Sequence, residues 1–284
     1  MTQNKLFTVL VFATFALWNP RAGAQGADAQ QPPSSAQTLP NAPTAAVTQG
    51  GDDLPLERQP HSPATATTTP KHTLTDIGHI AVSPIYIRKR DLKWILPLTG
   101  ASIAAFATDP TTMRDVVSRD PGFNQTSADV SDGLRDGFIA LPVALFGAGQ
   151  FIHNDHVRET GILAGEAMIG AVVVDEFTKL CTFRERPNVD NANGEFYIGS
   201  SGGVNSSFVS GHSMIAWSSA AVMADESHSR WKQFLIYTAA TGVSVTRVTA
   251  QQHFPTDVLL GSAGGWLIGH YVYRAHHHAD TAVR

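Results

Sequence analysis

Apolar segments of helical length, separated by Gly and Pro, are the feature that most constrains the fold of this chain. They lie at residues 92–107, 134–152, 161–180, 212–226, 231–246 and 256–274. The alternation of apolar and polar residues that marks a half-buried strand is nearly absent. We therefore predict an all-α fold, a bundle of six main helices, with residues 183–210 as its longest internal loop.

Two segments of different composition precede the bundle. Lys5, the apolar run 6–18 and the small residues Ala22 to Ala24 match the parts of a secretory signal peptide, although a retained membrane anchor is the alternative. Residues 25–72 are rich in Ala, Gln, Ser, Thr and Pro, which is typical of a disordered tether or, less commonly, a proline-rich recognition motif. We expect a signal peptide at 1–24, a tether at 25–72, a folded domain at 73–284, and export to the periplasm or cell envelope.

Composition narrows the function classes. The net charge is −4 and charged residues make up only 15% of the chain, so the basic surface that nucleic-acid binding requires is not indicated. One cysteine cannot form an internal disulfide. Cys181 is interpreted as a small core residue without a catalytic role.

The sequence does not decide between a soluble bundle and a membrane-embedded one. No segment has 18 consecutive apolar residues, and Glu166 interrupts the third segment. Gly261, Gly265 and Gly269 permit close helix approach in either setting. We favour a periplasmic or peripheral domain with possible membrane association, and the oligomeric state stays open.

A first cluster of cations ends the third segment. Lys179 and Arg186 are seven positions apart, and Pro187 disfavours helical geometry at Arg186, so a helix should end nearby. Both cations can then reach one anion, whereas a solvated basic helix end is the simpler alternative. Arg184 and Arg186 should point in different directions, one to the anion and one to a structural partner.

A second cluster, Ser210-Gly211-His212, stands directly before the fourth apolar segment. Ser210 is predicted to cap that helix, and Gly211 to let the backbone approach a ligand. Free amides at a helix start bind anions, and a protonated His212 in the first turn can act as a general acid. An ordinary cap followed by a packed histidine is the alternative.

A third cluster runs from Arg247 through His253 to Asp257. Pro255 suits the first turn of the last helix, which places His253 in the preceding loop and Asp257 in that turn. Asp257 can then accept a hydrogen bond from one imidazole nitrogen and leave the other as a nucleophile. The alternative is a first-turn acid beside a partly buried histidine.

Taken together, three cations, two histidines and an orienting carboxylate suit phosphoryl transfer through a phosphohistidine. No metal is required by that chemistry. The run His276-His277-His278 could bind metal, but consecutive histidines near a chain end are more often surface residues, so no metal site is assigned.

The three clusters resemble the phosphatidic acid phosphatase type 2 (PAP2) and vanadium haloperoxidase superfamily over residues 92–274. The family pattern is Lys-x6-Arg-Pro, then Pro-Ser-Gly-His, then Ser-Arg-x5-His-x3-Asp. The resemblance implies phosphate binding by Lys179, Arg186 and Arg247, assistance from Ser210 and Gly211, and His212 as acid, His253 as nucleophile and Asp257 as its orienter. Val209 and Thr246 depart from the pattern, in place of Pro and Ser.

Three functions are compatible with these motifs. The first is a metal-independent phosphatase, similar to acid and phosphatidic acid phosphatases, acting on a lipid phosphate, an isoprenoid diphosphate or a small soluble ester without a cofactor. The second is a haloperoxidase, in which vanadate would be held at His253. The third is a non-catalytic envelope protein, which the complete set of catalytic side chains disfavours.

Overall fold

The computed structural model describes residues 89–197 and 206–276, together with Thr75, Gly78 and His79. The expected signal peptide and tether lie outside the described residues, as do His277 and His278. In the described part of the chain the regular elements are all helical. The predicted all-α class is confirmed.

Six α-helices form the bundle, as the sequence predicts. Their bounds are α1 Leu92–Thr111, α2 Pro121–Phe151, α3 Asp155–Thr182, α4 Gly211–Glu226, α5 Arg230–Thr249 and α6 Pro255–His276. Shorter helical turns lie at Lys89–Asp91, Thr112–Val116 and Asp190–Ala192. Residues 183–210, where described, form the long irregular connection that was expected.

Helix α2 is the main departure from the predicted boundaries. The second apolar segment was predicted to start at residue 134, but α2 already begins at Pro121. Asp120 caps it by accepting a hydrogen bond from the Phe123 amide at 2.8 Å, and Pro121 takes the first helical position, where its missing N–H costs nothing. The first turns of α2 are polar, so the pattern of apolar residues did not indicate that they are helical. Asp132 lies in this additional part of the helix.

Helix α4 is the centre of the bundle. One side packs in a cluster with α3 and α6 that includes Leu163, Ile268 and Val272. The opposite side packs with α2 and α5 around Trp217 and Phe138. Because α4 is covered on both sides, its Ser and Ala residues are buried and its neighbours are fixed relative to its first turn.

Three glycines of α6 allow it to lie directly against α4. A Cβ at Gly261 would stand 2.7 Å from the carbonyl oxygen of Ser210, and one at Gly265 or Gly269 would overlap the carbonyl of Met214 or Ser218. The partner advances four residues with each glycine, so the two helices run parallel. Their first turns therefore meet at the same end of the bundle.

The surface departs from the sequence expectation at Cys181, which is exposed in the last turn of α3 rather than buried in the core. Its side chain lies on the outer face of that turn, where the bundle offers it no cover. Among the described helices, none combines the length and the apolar character required to cross a membrane.

Candidate active site

The three sequence clusters meet at one end of the bundle. The end of α3, the start of α4, the end of α5 and the start of α6 supply them. Direct contacts show their proximity: Arg186 donates to Gln252, the residue before His253. Asp175, which pairs with Lys179, lies against Gly211. Residues spread over some 80 positions of sequence thus share one site.

His253 is 2% exposed and is held by the backbone. Its Nδ1 lies 2.7 Å from the carbonyl oxygen of Ser207, and because a carbonyl can only accept, Nδ1 carries the proton. Nε2 of the neutral ring is then an unprotonated nitrogen. Burial, with smaller contributions from Arg186 and Arg247, lowers the pKa of His253 to about 4, so the ring is neutral at pH 7.

Asp257 does not make the hydrogen bond to His253 that was expected. Its Oδ2 lies 3.8 Å from Nδ1. The carboxylate instead accepts from Arg184 at 2.5 Å, from the Ser207 hydroxyl at 2.5 Å and from the Phe254 amide at 2.9 Å. Asp257 therefore fixes the loop and the Ser207 segment that hold His253, while Ser207 supplies the direct contact.

Of Arg184 and Arg186, Arg184 is the one that binds structural partners. It is 1% exposed and bridges Asp257 and Asp109, the latter at 2.8 Å. Its guanidinium also stacks on Phe254, with its central carbon 4.1 Å from the ring centroid. Gly194, at φ +67°, leaves room for this arrangement because a Cβ there would press on Phe254.

Arg186 and Arg247 line the same space as His253. Arg186 donates to the Gln252 side chain at 2.9 Å, and burial lowers its pKa. Arg247 is 6% exposed, and its Nε is buried without a hydrogen-bond partner in the described part of the chain. Burial lowers the pKa of Arg247 to about 10, so it stays charged at pH 7. A buried cation with an unused donor suits an anionic ligand.

Lys179 forms an ion pair with Asp175, which lies one helical turn earlier in α3 and contacts the start of α4. Its Nζ lies 2.6 Å from Asp175 Oδ2 and 3.2 Å from Glu176 Oε1. Asp175 stands directly over Gly211, where a Cβ would overlap its carboxylate. The close approach predicted at Gly211 is thus made by Asp175, whose pKa is raised by burial and whose Oδ1 has no partner among the described residues.

The start of α4 presents the second histidine. Ser210 is the N-cap, as predicted, and its Oγ lies 3.5 Å from the Ser213 amide and 3.1 Å from the Ser213 hydroxyl. The Phe208–Val209 peptide bond just before it is cis. Burial, followed by the charge of Arg247, lowers the pKa of His212 to about 3. At pH 7 His212 is therefore neutral.

Five residues of the site were not singled out from the sequence in these roles: Ser207, Gln252, Asp175, Asp132 and Arg135. Asp175 carried a local signal, since an acid four residues before Lys179 forms a helical pair. Asp132 and Arg135 lie on α2 and contact Nε2 of His212. Nothing in their local sequence connects them to a histidine some 80 positions away.

Comparison with known proteins supports the family resemblance of the region that contains these clusters. Residues 160–280 match the model of the PAP2 superfamily. The matched region contains all three clusters of the candidate site, and the resemblance inferred from the motifs is confirmed.

Two individual proteins are similar to this chain. It is 28% identical over 206 residues to a lipid A 1-phosphatase of Porphyromonas gingivalis, an alignment that covers 69% of this chain and 40% of that protein. The chain thus spans well under half of the relative's length. A transmembrane PAP2 type phosphatidylglycerolphosphate phosphatase from Bacillus subtilis matches with 20% identity and a TM-score of 0.45, over 73% of this chain and 95% of that one.

Proposed function

We propose that the protein is a metal-independent phosphatase that transfers a phosphoryl group to His253 and then to water. The observation that carries the proposal is the buried, neutral His253, whose Nδ1 proton is fixed on Ser207 so that Nε2 has a free lone pair beside two cations. Such a nitrogen is a nucleophile at neutral pH. The match of residues 160–280 to the PAP2 superfamily model supports the same chemistry.

In the first step Nε2 of His253 attacks phosphorus, and the bond from phosphorus to the ester oxygen breaks. Lys179, Arg186 and Arg247 bind the phosphoryl oxygens, whose charge is stabilised in the transition state. A bound dianion beside His212 raises the pKa of that imidazole. His212 can then carry a proton and donate it to the departing oxygen as general acid.

In the second step a water molecule replaces the departed alcohol. His212, now neutral, takes a proton from the water, whose oxygen bonds to phosphorus as the bond to Nε2 of His253 breaks. Inorganic phosphate leaves and His212 is protonated again. These side chains supply nucleophile, acid, base and charge, so the proposed reaction uses no metal or other cofactor.

A phosphorylated lipid is the proposed substrate. The support comes from the similarity to a lipid A 1-phosphatase, which covers 69% of this chain. Exposed apolar side chains on the outer helices offer a second argument. Leu96 and Ile103 of α1 and Phe177 of α3 are 64%, 65% and 68% exposed, which suits contact with a lipid surface.

We further propose that the protein acts at a membrane of the cell envelope. The apolar side chains of α1 and α3 would rest in the outer part of the bilayer and bring the lipid phosphate to the site. Sedimentation with anionic and neutral vesicles measures this directly. Replacement of Ile103 and Phe177 by Ser should reduce the bound fraction, whereas unchanged binding would refute membrane contact through these helices.

Phosphate release tests the proposed function. The purified protein is incubated with a chelator and, separately, with a lipid A phosphate, phosphatidic acid, an isoprenoid diphosphate and an aryl phosphate. We expect release that His253→Ala abolishes and that His228→Ala, at an exposed histidine, retains. Release from none of the four, or equal release by His253→Ala, would refute the proposal.

A further inference from the structure

Two side chains of opposite charge contact the same nitrogen of His212. Asp132 Oδ1 lies 2.7 Å from Nε2, and Arg135 Nη1 lies 2.5 Å from it. Both belong to α2, three residues apart, and so share a face of that helix. Neither is part of the three sequence clusters, and the steps described above do not use them.

The two contacts cannot both be hydrogen bonds at one moment. A protonated Nε2 donates to the Asp132 carboxylate and has no lone pair for Arg135. An unprotonated Nε2 accepts from Arg135 and has nothing to donate to Asp132. The pair therefore offers a partner to His212 in each of its protonation states.

The charges that face His212 come from two helices. Arg247 approaches from α5, and Asp132 and Arg135 approach from α2. Asp132 Oδ1 also lies 3.5 Å from Nη1 of Arg247 and 3.5 Å from Nη1 of Arg135. Asp132 favours a protonated His212, while the two guanidinium groups oppose it.

Building on the proposed function, we propose that Asp132 and Arg135 are positioning residues that serve His212 in alternation. Before substrate binds, Asp132 accepts a hydrogen bond from the protonated Nε2, and the departing ester oxygen takes over this acceptor position when substrate binds. As that proton moves to the departing oxygen, Arg135 donates to the Nε2 lone pair. The same lone pair then takes a proton from the attacking water, and the contact with Asp132 can form again.

The inference is tested by the pH dependence of kcat on an alkyl phosphate, a substrate whose poor leaving group needs the general acid. The alkaline limb of the pH profile is the fall in kcat at high pH, where His212 loses its proton in the enzyme–substrate complex. Loss of one charge at this distance should move that limb by about one pH unit. Asp132→Asn should move it to lower pH and Arg135→Gln to higher pH.

The control is Asp129→Asn, which removes a carboxylate from the same helix. Asp129 is exposed and accepts from Gln125 at 2.7 Å. The alkaline limb of the Asp129→Asn profile should lie at the same pH as that of the wild type. Opposite movements in the two test variants identify the positioning roles, because a purely structural defect would lower the rate without moving the limbs apart.

The inference and the proposed function can fail separately. If the wild type is active and His253→Ala is inactive, limbs that stay in place or move in one direction overturn the inference alone.

If the wild type releases no phosphate, the pKa of His212 is measured by NMR of the ring nitrogens in both variants. A lower value in Asp132→Asn and a higher one in Arg135→Gln still support the pairing, and equal values overturn it. Should Asp132→Asn not fold, Asp132→Ser replaces it, because it also removes the charge.

Discussion

Asp257 binds Arg184 rather than His253. The carboxylate lies 2.5 Å from Nη1 of Arg184 and 3.8 Å from Nδ1 of His253, and both partners are buried. A buried guanidinium between Asp257 and Asp109 joins α1, the segment after α3 and the start of α6. The Arg184–Asp257 ion pair thus fixes the loop that carries His253 without contacting the reacting nitrogen itself.

Removal of either carboxylate of this ion pair should destabilise the protein. Asp257→Asn and Asp109→Asn each remove one charged hydrogen-bond partner of the buried Arg184 but leave it the other, so each should cost about 1.5–3 kcal/mol. Urea unfolding measures the loss. Only Asp257→Asn should also lower kcat in the folded protein, because Asp257 also holds the Ser207 segment and the Phe254 amide. An equal fall in kcat for Asp109→Asn would contradict this division.

The contact of α6 with α4 predicts a second stability effect. Gly265→Ala would place a methyl group on the Met214 carbonyl and should cost about 1–3 kcal/mol. Gly147 in α2 has no atom within 4 Å of the added Cβ. Gly147→Ala should stabilise by about 0.5–1 kcal/mol through helix propensity. If thermal unfolding showed the same change for both variants, the close helix contact would be refuted.

The buried histidine predicts a pH dependence of stability. The pKa of His253 is lowered to about 4 in the folded protein, against about 6.5 in an unfolded chain. Between these values the unfolded chain binds a proton that the folded one does not, so stability is fully present above pH 6.5 and falls as the pH falls towards 4. The contribution is about 3 kcal/mol.

This slope is isolated by comparison with His253→Gln. Burial raises the pKa of Asp109 and of Asp175, and these groups contribute a slope of opposite sign in both proteins. The free energy of unfolding should therefore rise less steeply from pH 4 to pH 6.5 in the variant than in the wild type. Parallel curves would contradict a neutral, buried His253.

Vanadate should inhibit by competition with substrate, since its trigonal form resembles the phosphoryl transition state. Arg247 has a buried Nε without a partner in the described residues, so Arg247→Gln should weaken inhibition at least tenfold, the loss of about 1.4 kcal/mol. Arg230→Gln, at the exposed start of α5, is the matched control and should leave the inhibition constant unchanged. If vanadate inhibited the wild type, Arg247→Gln and Arg230→Gln equally, Arg247 would not be part of the anion site.

Much of the fold could be predicted because apolar periodicity and helix-end chemistry are local. Pro255 and Ser210 mark the starts of α6 and α4 as expected. The start of α2 could not be found from apolar periodicity, since its first turns are polar and its cap is Asp120. Cys181 was placed in the core on general preference alone, whereas the orientation of its turn decides its exposure.

The site divides in a similar way. The motif residues converge at one end of the bundle, because each stands at a helix end that the sequence marks. The contacts among them depend on tertiary distances that no spacing encodes. Asp257 lies four positions after His253, which suggested a direct bond, but the loop turns the ring towards the Ser207 carbonyl instead. Asp132 belongs to a helix whose start was not predicted.

If His253 carries the phosphoryl group, the phosphorylated protein can be trapped before it is hydrolysed. The protein is mixed with a labelled phosphate ester, quenched in alkali within milliseconds and digested, since phosphohistidine survives alkali and is lost in acid. We expect an acid-labile label on the peptide that contains His253, absent from His253→Ala and present in His228→Ala. Label on another residue, or rapid turnover by His253→Ala, would contradict this expectation.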